Sequence, residues 1–301
     1  MNTLVWRLPM RTYQQLVDKA VANQSKVGEI VLAQETEITG LSKEQAIIKM
    51  TRNYQVMQEA VEQGMTGQWR SLSGLVGGDA ARLNNLRLSG KSLLGNSLNM
   101  AAARAIAVAE VNAGMGRIVA APTAGSCGVL PGVLLTVRDI LNAAEQDVII
   151  ALFTAAGLGV VIAEKASVSG AEGGCQAEIG SAAAMAAAAA VELAGGTPEQ
   201  TADAAALALK SFLGLVCDPV AGLVEVPCVK RNAMAAVIAL TATEMALAGI
   251  KSAIPVDEVI EAMSSIGRSM PCSLKETAQG GLATTPTGEI IRNRTTGLTI
   301  I

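Results

Sequence analysis

The sequence has no histidine among its 301 residues. That absence excludes a Ser-His-Asp triad and the HExxH zinc motif, because both need an imidazole. There is no CxxC pair either, so a paired-cysteine zinc site and a thioredoxin-type redox motif are also excluded. Aromatic residues make up 2% of the chain and charged residues 16%, the latter against about 25% in ordinary globular domains. With few bulky rings, Ala and Gly are left at the helix contacts, and the helices should approach closely. The net charge of -3 gives no basic footprint for a nucleic-acid partner. A surface so poor in charge is prone to association, which predicts that another subunit covers part of it.

Five cysteines is an odd number and does not suit a disulfide framework. The opening stretch "MNTLVWRLPMRTYQQLVDKA" carries charges and no uninterrupted apolar run, so it does not read as a secretory signal. A reducing cytoplasm is the expected compartment. The mean hydropathy of +0.40 raises the question of a membrane. Residues 118–137 are uncharged and long enough to span, but Pro122, Pro131 and the glycines of "TAGSCG" interrupt them. Residues 148–163 are uncharged but too short, and no Trp or Tyr belt flanks either stretch. Both read as buried core helices, and no membrane partner is expected.

Helical periodicity dominates what is present. Ile47, Met50, Tyr54, Met57 and Val61 recur at three or four positions, one face of a helix, and Ser42 with Gln45 forms the capping box that opens it. Near Gly64 the composition shifts to Gly and Ser. This predicts an N-terminal helical arm over 1–66 and a catalytic domain over 67–301. In "TPEQTADAAALALKSFLG", Thr197 is the N-cap, Pro198 the first helical residue and Gln200 the closing member of the box, with Gly214 at the far end. Val256, Val259, Ile260 and Met263 mark a further helix that Gly267 should stop. The fold class expected is all-α or nearly so: many helices packed around a buried Ala-rich helix near 181–194.

Two phosphate-type motifs fail. "SGKS" at 89–92 has Asn85 where a P-loop needs glycine, and "GLGVVIA" lacks the third glycine of a dinucleotide fingerprint. The remaining signals are Gly/Pro turns that carry cysteines: "PTAGSCG" with Cys127, "SGAEGGCQAE" with Cys175, "GLVCDPVAGLVEVPCVKRNA" with Cys217 and Cys228, and "SMPCSL" with Cys272. Thiolates select zinc, copper(I) or iron–sulfur clusters. The long spacings argue against a structural zinc site. Three thiolates on such turns suit a four-iron cluster with one iron left open; unconnected buried cysteines are the alternative.

The stretches "QETEITGLSKEQ", "EVNAGMGRIVAAPTAGSCGVLPG", "ASVSGAEGGCQAEIGSA", "LGLVCDPVAGLVEVPCVKRNAMAA" and "ETAQGGLATTPTG", in this order and across nearly the whole chain, resemble the alpha chain of the iron–sulfur-dependent L-serine dehydratase (L-serine ammonia-lyase). The resemblance implies a [4Fe-4S] cluster held by Cys175, Cys217 and Cys228, with Cys127 and Cys272 unligated. It implies loss of water from L-serine to give pyruvate and ammonia. A separate beta chain bearing a Ser-Ser-Ser-His stretch, and hence a hetero-oligomer, is implied as well. Some single-chain relatives end in a cysteine that occupies the open iron. This chain ends "RTTGLTII", so that self-blocking is not expected.

Within that frame Thr123, Gly125 and Ser126 are the expected clamp for the substrate carboxylate, as a backbone-and-hydroxyl anion nest. Asn112 and Ser169 are further candidates for substrate hydrogen bonds. Lys91 could pair with the substrate carboxylate, and Ser126 and Ser169 complete the catalytic candidates. Lys230 and Arg231 could balance the charge of the cluster, and Glu172 or Glu178 could polarise a water. The base is not legible: a lysine or serine alkoxide here, or the histidine of the beta chain. Competing readings are an iron–sulfur lyase acting on cysteine or another small amino acid, a non-catalytic iron–sulfur subunit, and a pyridoxal-phosphate enzyme built on Lys165.

Overall fold

Residues 10–295 are described by a computed structural model, which is 71% helical and contains no strand or sheet among them. The residues before 10 and after 295, including the tail to which the terminal-cysteine expectation applies, lie outside the described residues. The N-terminal region forms α1 (Tyr13–Ala22), α2 (Val27–Thr39) and α3 (Lys43–Met65). Then come α4 (Asp79–Leu88), α5 (Gly95–Ala113), α6 (Val129–Leu141), α7 (Glu145–Lys165), the single turn α8 (Gly170–Gly173) and α9 (Ser181–Leu193). The chain continues through α10 (Pro198–Lys210), α11 (Cys228–Leu247), α12 (Val256–Ser269) and α13 (Pro286–Thr295).

Local chemistry starts several of these helices. Thr12, Ser42 and Thr197 each accept from the backbone N–H three residues on, and Gln15, Gln45 and Gln200 return the bond. Each reciprocal pair satisfies two backbone donors that a helix start leaves orphaned. Gly40, at φ 69°, ends α2 in the left-handed conformation, where a Cβ would be strained.

Helix α9 is the centre. All thirteen of its residues are buried, and α6, α7, α10 and α11 pack around it. Methyl side chains allow this: the helix can be surrounded only if its neighbours come close. Glycines carry the closeness elsewhere. A Cβ on Gly128 would lie 2.1 Å from the Ala105 carbonyl oxygen on α5, and one on Gly64 would lie 2.2 Å from that of Ala107. Larger apolar groups fill the rest, among them Leu16, Leu134, Ile149, Leu158 and Ile162, all fully buried and each contributing about 1.5–3 kcal/mol. Residues of α1, α2 and α3 belong to the same core cluster as α5, α6, α7 and α9.

One carboxylate interrupts the apolar centre. Glu192, near the end of α9, accepts from the Thr154 hydroxyl at 2.6 Å and from the Gly28 N–H at 3.2 Å. It therefore stands at the amino end of α2, where the helix dipole favours negative charge. Two helical stretches, Ala124–Leu141 and Glu145–Lys165, are long and apolar enough to cross a membrane. Two thirds of each such window is buried inside the chain, the pattern of core helices.

Two boundaries differ from expectation. Helix α10 ends at Lys210, and Gly214 follows in a turn at φ 85°. Gly267 does not stop α12, which runs to Ser269. There a Cβ would meet the Cα of Gly173 at 3.0 Å, so its glycine serves a close crossing rather than a cap.

Candidate active site

The "SGAEGGCQAE" segment folds as α8, a reversal at Gly174 (φ 77°) and a new helix that opens at Cys175. The first turn of that helix, Gln176–Gly180, is π-helical before α9 continues it, a feature common at functional sites. Gln176 fixes the turn. Its buried amide donates to the Gly173 and Met263 carbonyls at 2.9 and 3.0 Å and accepts from the Gly214 N–H at 2.9 Å. Cys175 is therefore held between α12 and the end of α10.

Cys217 and Cys228 are brought to the same place by two other segments. Cys217 donates its N–H to the Leu274 carbonyl at 2.9 Å and accepts from the Glu276 N–H at 2.8 Å. Cys228 begins α11, and one turn later Asn232 ties its carbonyl to the "PTAGSCG" turn. The Asn232 amide donates to Cys228 O at 3.0 Å and to Gly125 O at 2.8 Å, while its oxygen accepts from the Gly128 N–H at 2.9 Å.

The three thiols act on one another. Burial pushes Cys175 up to about 11 and Cys228 up to about 12, and the charge of Cys175 adds to the rise at Cys228. Cys217 is raised further, first by burial and then by Cys175, Glu178, Glu276 and Cys228. The positive charge of Arg231 opposes the rise at Cys175. The Arg231 guanidinium also donates to Asp218 and to the Val216 carbonyl, each at 3.0 Å. Three buried thiols that resist ionisation together need a compensating cation to become ligands, and a metal supplies one. This donor set fits an all-thiolate, soft-metal centre.

Two carboxylates adjoin it. One oxygen of Glu178, the Cys217 sulfur and one oxygen of Glu276 lie within 4.8 Å of one another. Gly170 faces the same point: a Cβ there would sit 2.7 Å from Glu178 Oε2, 2.9 Å from Glu276 Oε2 and 3.1 Å from Cys217 Sγ. Burial raises the Glu178 carboxyl above the ordinary range, and Thr123 counters this by donating to it at 2.7 Å. Glu276 occupies the left-handed region at φ 58°, a conformation that costs energy in a residue with a side chain.

The sequence candidates fall into two groups. Thr123, Gly125 and Ser126 reach the cysteine cluster through Glu178. The Thr123 and Ser126 hydroxyls are 3.1 Å apart, and Gly125 packs against the Glu178 carboxylate. Asn112 supports that turn by donating to the Ala124 carbonyl at 3.2 Å, and Ser169 immediately precedes Gly170. Lys91, in contrast, is exposed on the turn between α4 and α5 and makes no hydrogen bond to the cluster among the described residues. Cys127 is fully buried, pushed up to about 12 by burial, and part of the apolar core. Cys272 is exposed. Lys230 pairs with Asp79 at 2.6 Å, and Lys165 is engaged by Asp257 at 3.3 Å and Glu261 at 3.8 Å. Glu172 is exposed, facing away into a groove with Ser167, Met263 and Arg268.

Three residues at the site escaped the sequence reading: Glu276, Asn232 and Asp218. All lie inside motifs quoted above ("ETAQGG", "VKRNA", "VCDPV"). Asp218 joins the site to the C-terminal segment, accepting from the Leu282 N–H at 2.9 Å.

Comparison with known proteins agrees with this arrangement. The family model described as serine dehydratase alpha chain matches residues 22–283. A probable L-serine dehydratase alpha chain of Bacillus subtilis is 54% identical over 95% of this chain and 95% of its own length. The L-serine dehydratase alpha chain of Peptoniphilus asaccharolyticus is 41% identical, over 94% of this chain and 97% of its own length. L-serine dehydratase 1 of Escherichia coli is 37% identical over 91% of this chain, which spans 62% of that longer protein. A match this long, through every cysteine turn of the site, means that the chain belongs to the serine dehydratase alpha chain family.

Proposed function

We propose that this chain is the catalytic subunit of an L-serine ammonia-lyase whose Cys175, Cys217 and Cys228 hold a [4Fe-4S] cluster. What supports the proposal is that three buried thiols on three separate segments each feel the charge of Glu178, and that the Cys217 sulfur lies within 4.8 Å of a Glu178 oxygen. When bound, the cluster supplies Lewis acidity that makes the β-hydroxyl of serine a better leaving group. In the reaction L-serine loses water, and the resulting aminoacrylate tautomerises to an imine. One water then hydrolyses the imine to pyruvate and ammonia.

The chain's own residues position the substrate. The turn carrying Thr123, Gly125 and Ser126 is the wall proposed to face the substrate carboxylate. Burial favours the neutral form of Glu178, which lowers the repulsion an incoming carboxylate would meet there. Glu276 is exposed and paired with no cation among the described residues, so it suits the ammonium group of serine. Ser169 and Gly170 form the opposite wall, where the missing Cβ leaves room. Arg231 compensates the thiolate charge. The Cα proton goes to a serine or lysine of this chain or to a histidine of a separate beta chain, since this chain has no imidazole.

The test is anaerobic purification with and without the beta chain, followed by iron and sulfide analysis, absorbance near ~400 nm, a charge-transfer region expected of iron–thiolate centres, and pyruvate formation from L-serine. Ser substitutions at Cys175, Cys217 or Cys228 are expected to abolish colour and turnover together. Cys272→Ser is expected to spare both. Active protein free of iron would overturn the proposal.

A further inference from the structure

Arg231 stands between two spaces. On one side are the cysteine thiols: burial raises Cys175 and Cys228, and the charge of Arg231 works against the rise at both. On the other side Arg231 lines a groove of about 410 Å³ with Phe212, Leu213, Leu215 and Met234, and Met234 is 65% exposed. A long, charged side chain has room to extend there, where water solvates its head. Two acceptors fix it instead, the Val216 carbonyl and one oxygen of Asp218, each at 3.0 Å. Of the two only Asp218 is charged, and a charge-assisted bond is about twice as strong as a neutral one.

Asp218 has a second task. It is buried, and its other oxygen accepts from the Leu282 N–H at 2.9 Å. That bond anchors residues 275–282, where Glu276, Ala278 and Gly281 stand in the left-handed region at φ 58°, 54° and 61°. In residues with a side chain, such conformations persist only where the surroundings hold them. Cys217 holds the near end of this strap: its N–H donates to the Leu274 carbonyl and its carbonyl accepts from the Glu276 N–H. Asp218 holds the far end. Gly281 packs so closely there that a Cβ would lie 2.5 Å from Asp218 Oδ2. The ion pair and the strap therefore meet on one side chain, next to a cysteine.

We infer that Asp218 is a positioning residue of the centre: one oxygen keeps Arg231 on the thiol side, away from the groove, and the other fixes the strap that carries Glu276. The inference rests on the cluster reading above for what Arg231 faces; the tie itself rests on the hydrogen bonds. Two oxygens serve two donors, so neither can be spared. An asparagine would present one oxygen and one amide group, and one of the two donors would then face another donor. Either the guanidinium is released toward the groove or the strap is released from the site.

The test reads iron release to a chelator from the anaerobic, iron-loaded protein, together with KM for L-serine. Asp218→Asn is expected to speed release about tenfold, the worth of one charge-assisted bond, and to raise KM, because the strap carries Glu276. Arg231→Gln is expected to speed release to the same extent with KM near that of wild type. The double variant should release iron no faster than either single one, the non-additivity of a coupled pair. Gly281→Ala keeps every charge but displaces the carboxylate, and should reproduce Asp218→Asn in both readouts. Release rates that multiply in the double variant, or a wild-type KM in both Asp218→Asn and Gly281→Ala, overturn the inference. The tie is also read without iron, by hydrogen exchange in Asp218→Ala. Amides of residues 276–284 are expected to exchange about tenfold faster than in wild type while those of α9 stay protected, the pattern of a local opening. Exchange unchanged at 276–284, or raised equally in α9, overturns the tie. Wild-type protein that binds no iron but shows this exchange pattern would overturn the cluster reading and leave the tie standing.

Discussion

Asn232 on α11 donates to the Gly125 carbonyl at 2.8 Å, across 107 positions of sequence. With its bonds to Cys228 and Gly128, this fully buried amide joins a cysteine segment to the turn that bears Thr123 and Ser126. Replacing it by Ala would strand the Gly125 carbonyl and the Gly128 N–H in the interior, at a cost of about 1–3 kcal/mol for an unsatisfied group. Asn232→Ala is expected to lose about 3 kcal/mol in denaturant unfolding and to lower turnover. Asn232→Asp keeps the acceptor for Gly128 but loses both donors, so it should rescue only part of the stability. Full stability in Asn232→Ala would contradict this role.

Gly170 offers the sharpest steric test. Its absent Cβ is the space shared by Glu178, Glu276 and Cys217. In Gly170→Ala the carboxylate ends can swing aside, so the fold should persist. The substrate wall cannot keep its position, and a displacement of about an ångström is worth about 100-fold in rate. The expected outcome is about a 100-fold fall in kcat with the melting temperature changed little. Unchanged kinetics would show that this point is remote from substrate.

Much of the fold was legible because its signals are local. The Ser42–Gln45 and Thr197–Gln200 boxes are read from four residues each and appear as expected. The alanine run predicts α9 because alanine has the highest helix propensity and its methyl side chain lets neighbouring helices close in on every side. The site was legible where a motif concentrates glycine around cysteine. Glu276 was not, because its place depends on backbone bonds to Cys217, 59 positions earlier by subtraction of their numbers. Gly267 was misread for a related reason. A glycine near a helix end looks like a cap, and only the approach of Gly173 shows that it is a contact. Lys91 belongs to an attractive motif, and only the fold shows how exposed it is.

Thr123 acts through Glu178. Its hydroxyl gives that half-buried carboxyl a hydrogen bond at 2.7 Å, and removing the donor leaves the carboxyl free to turn into the site. A hydrogen bond worth about 1.4 kcal/mol corresponds to about tenfold in rate. Thr123→Val is expected to lower kcat/KM about tenfold, and Thr123→Ser to restore it. A purely structural role for the methyl group would give the reverse order, with Val retaining activity and Ser losing it.

The buried carboxylate of Glu192 predicts a pH dependence opposite to that of most acids. Burial raises its pKa above the ordinary 4.5, and the bonds from Thr154 and Gly28 and the charge of Lys26 only partly offset the rise. The folded state therefore holds this proton more tightly than the unfolded state. The stabilisation it provides is fully present below about pH 4.5 and is lost as pH climbs through the raised folded value. Glu192→Gln cannot ionise but keeps an oxygen for the Thr154 hydroxyl. The melting temperature of the variant relative to wild type should thus rise across a pH series that starts below the ordinary carboxyl value of 4.5 and climbs through the raised folded value. Parallel melting curves across that range would mean that Glu192 is ionised throughout and that the amino end of α2 stabilises its charge fully.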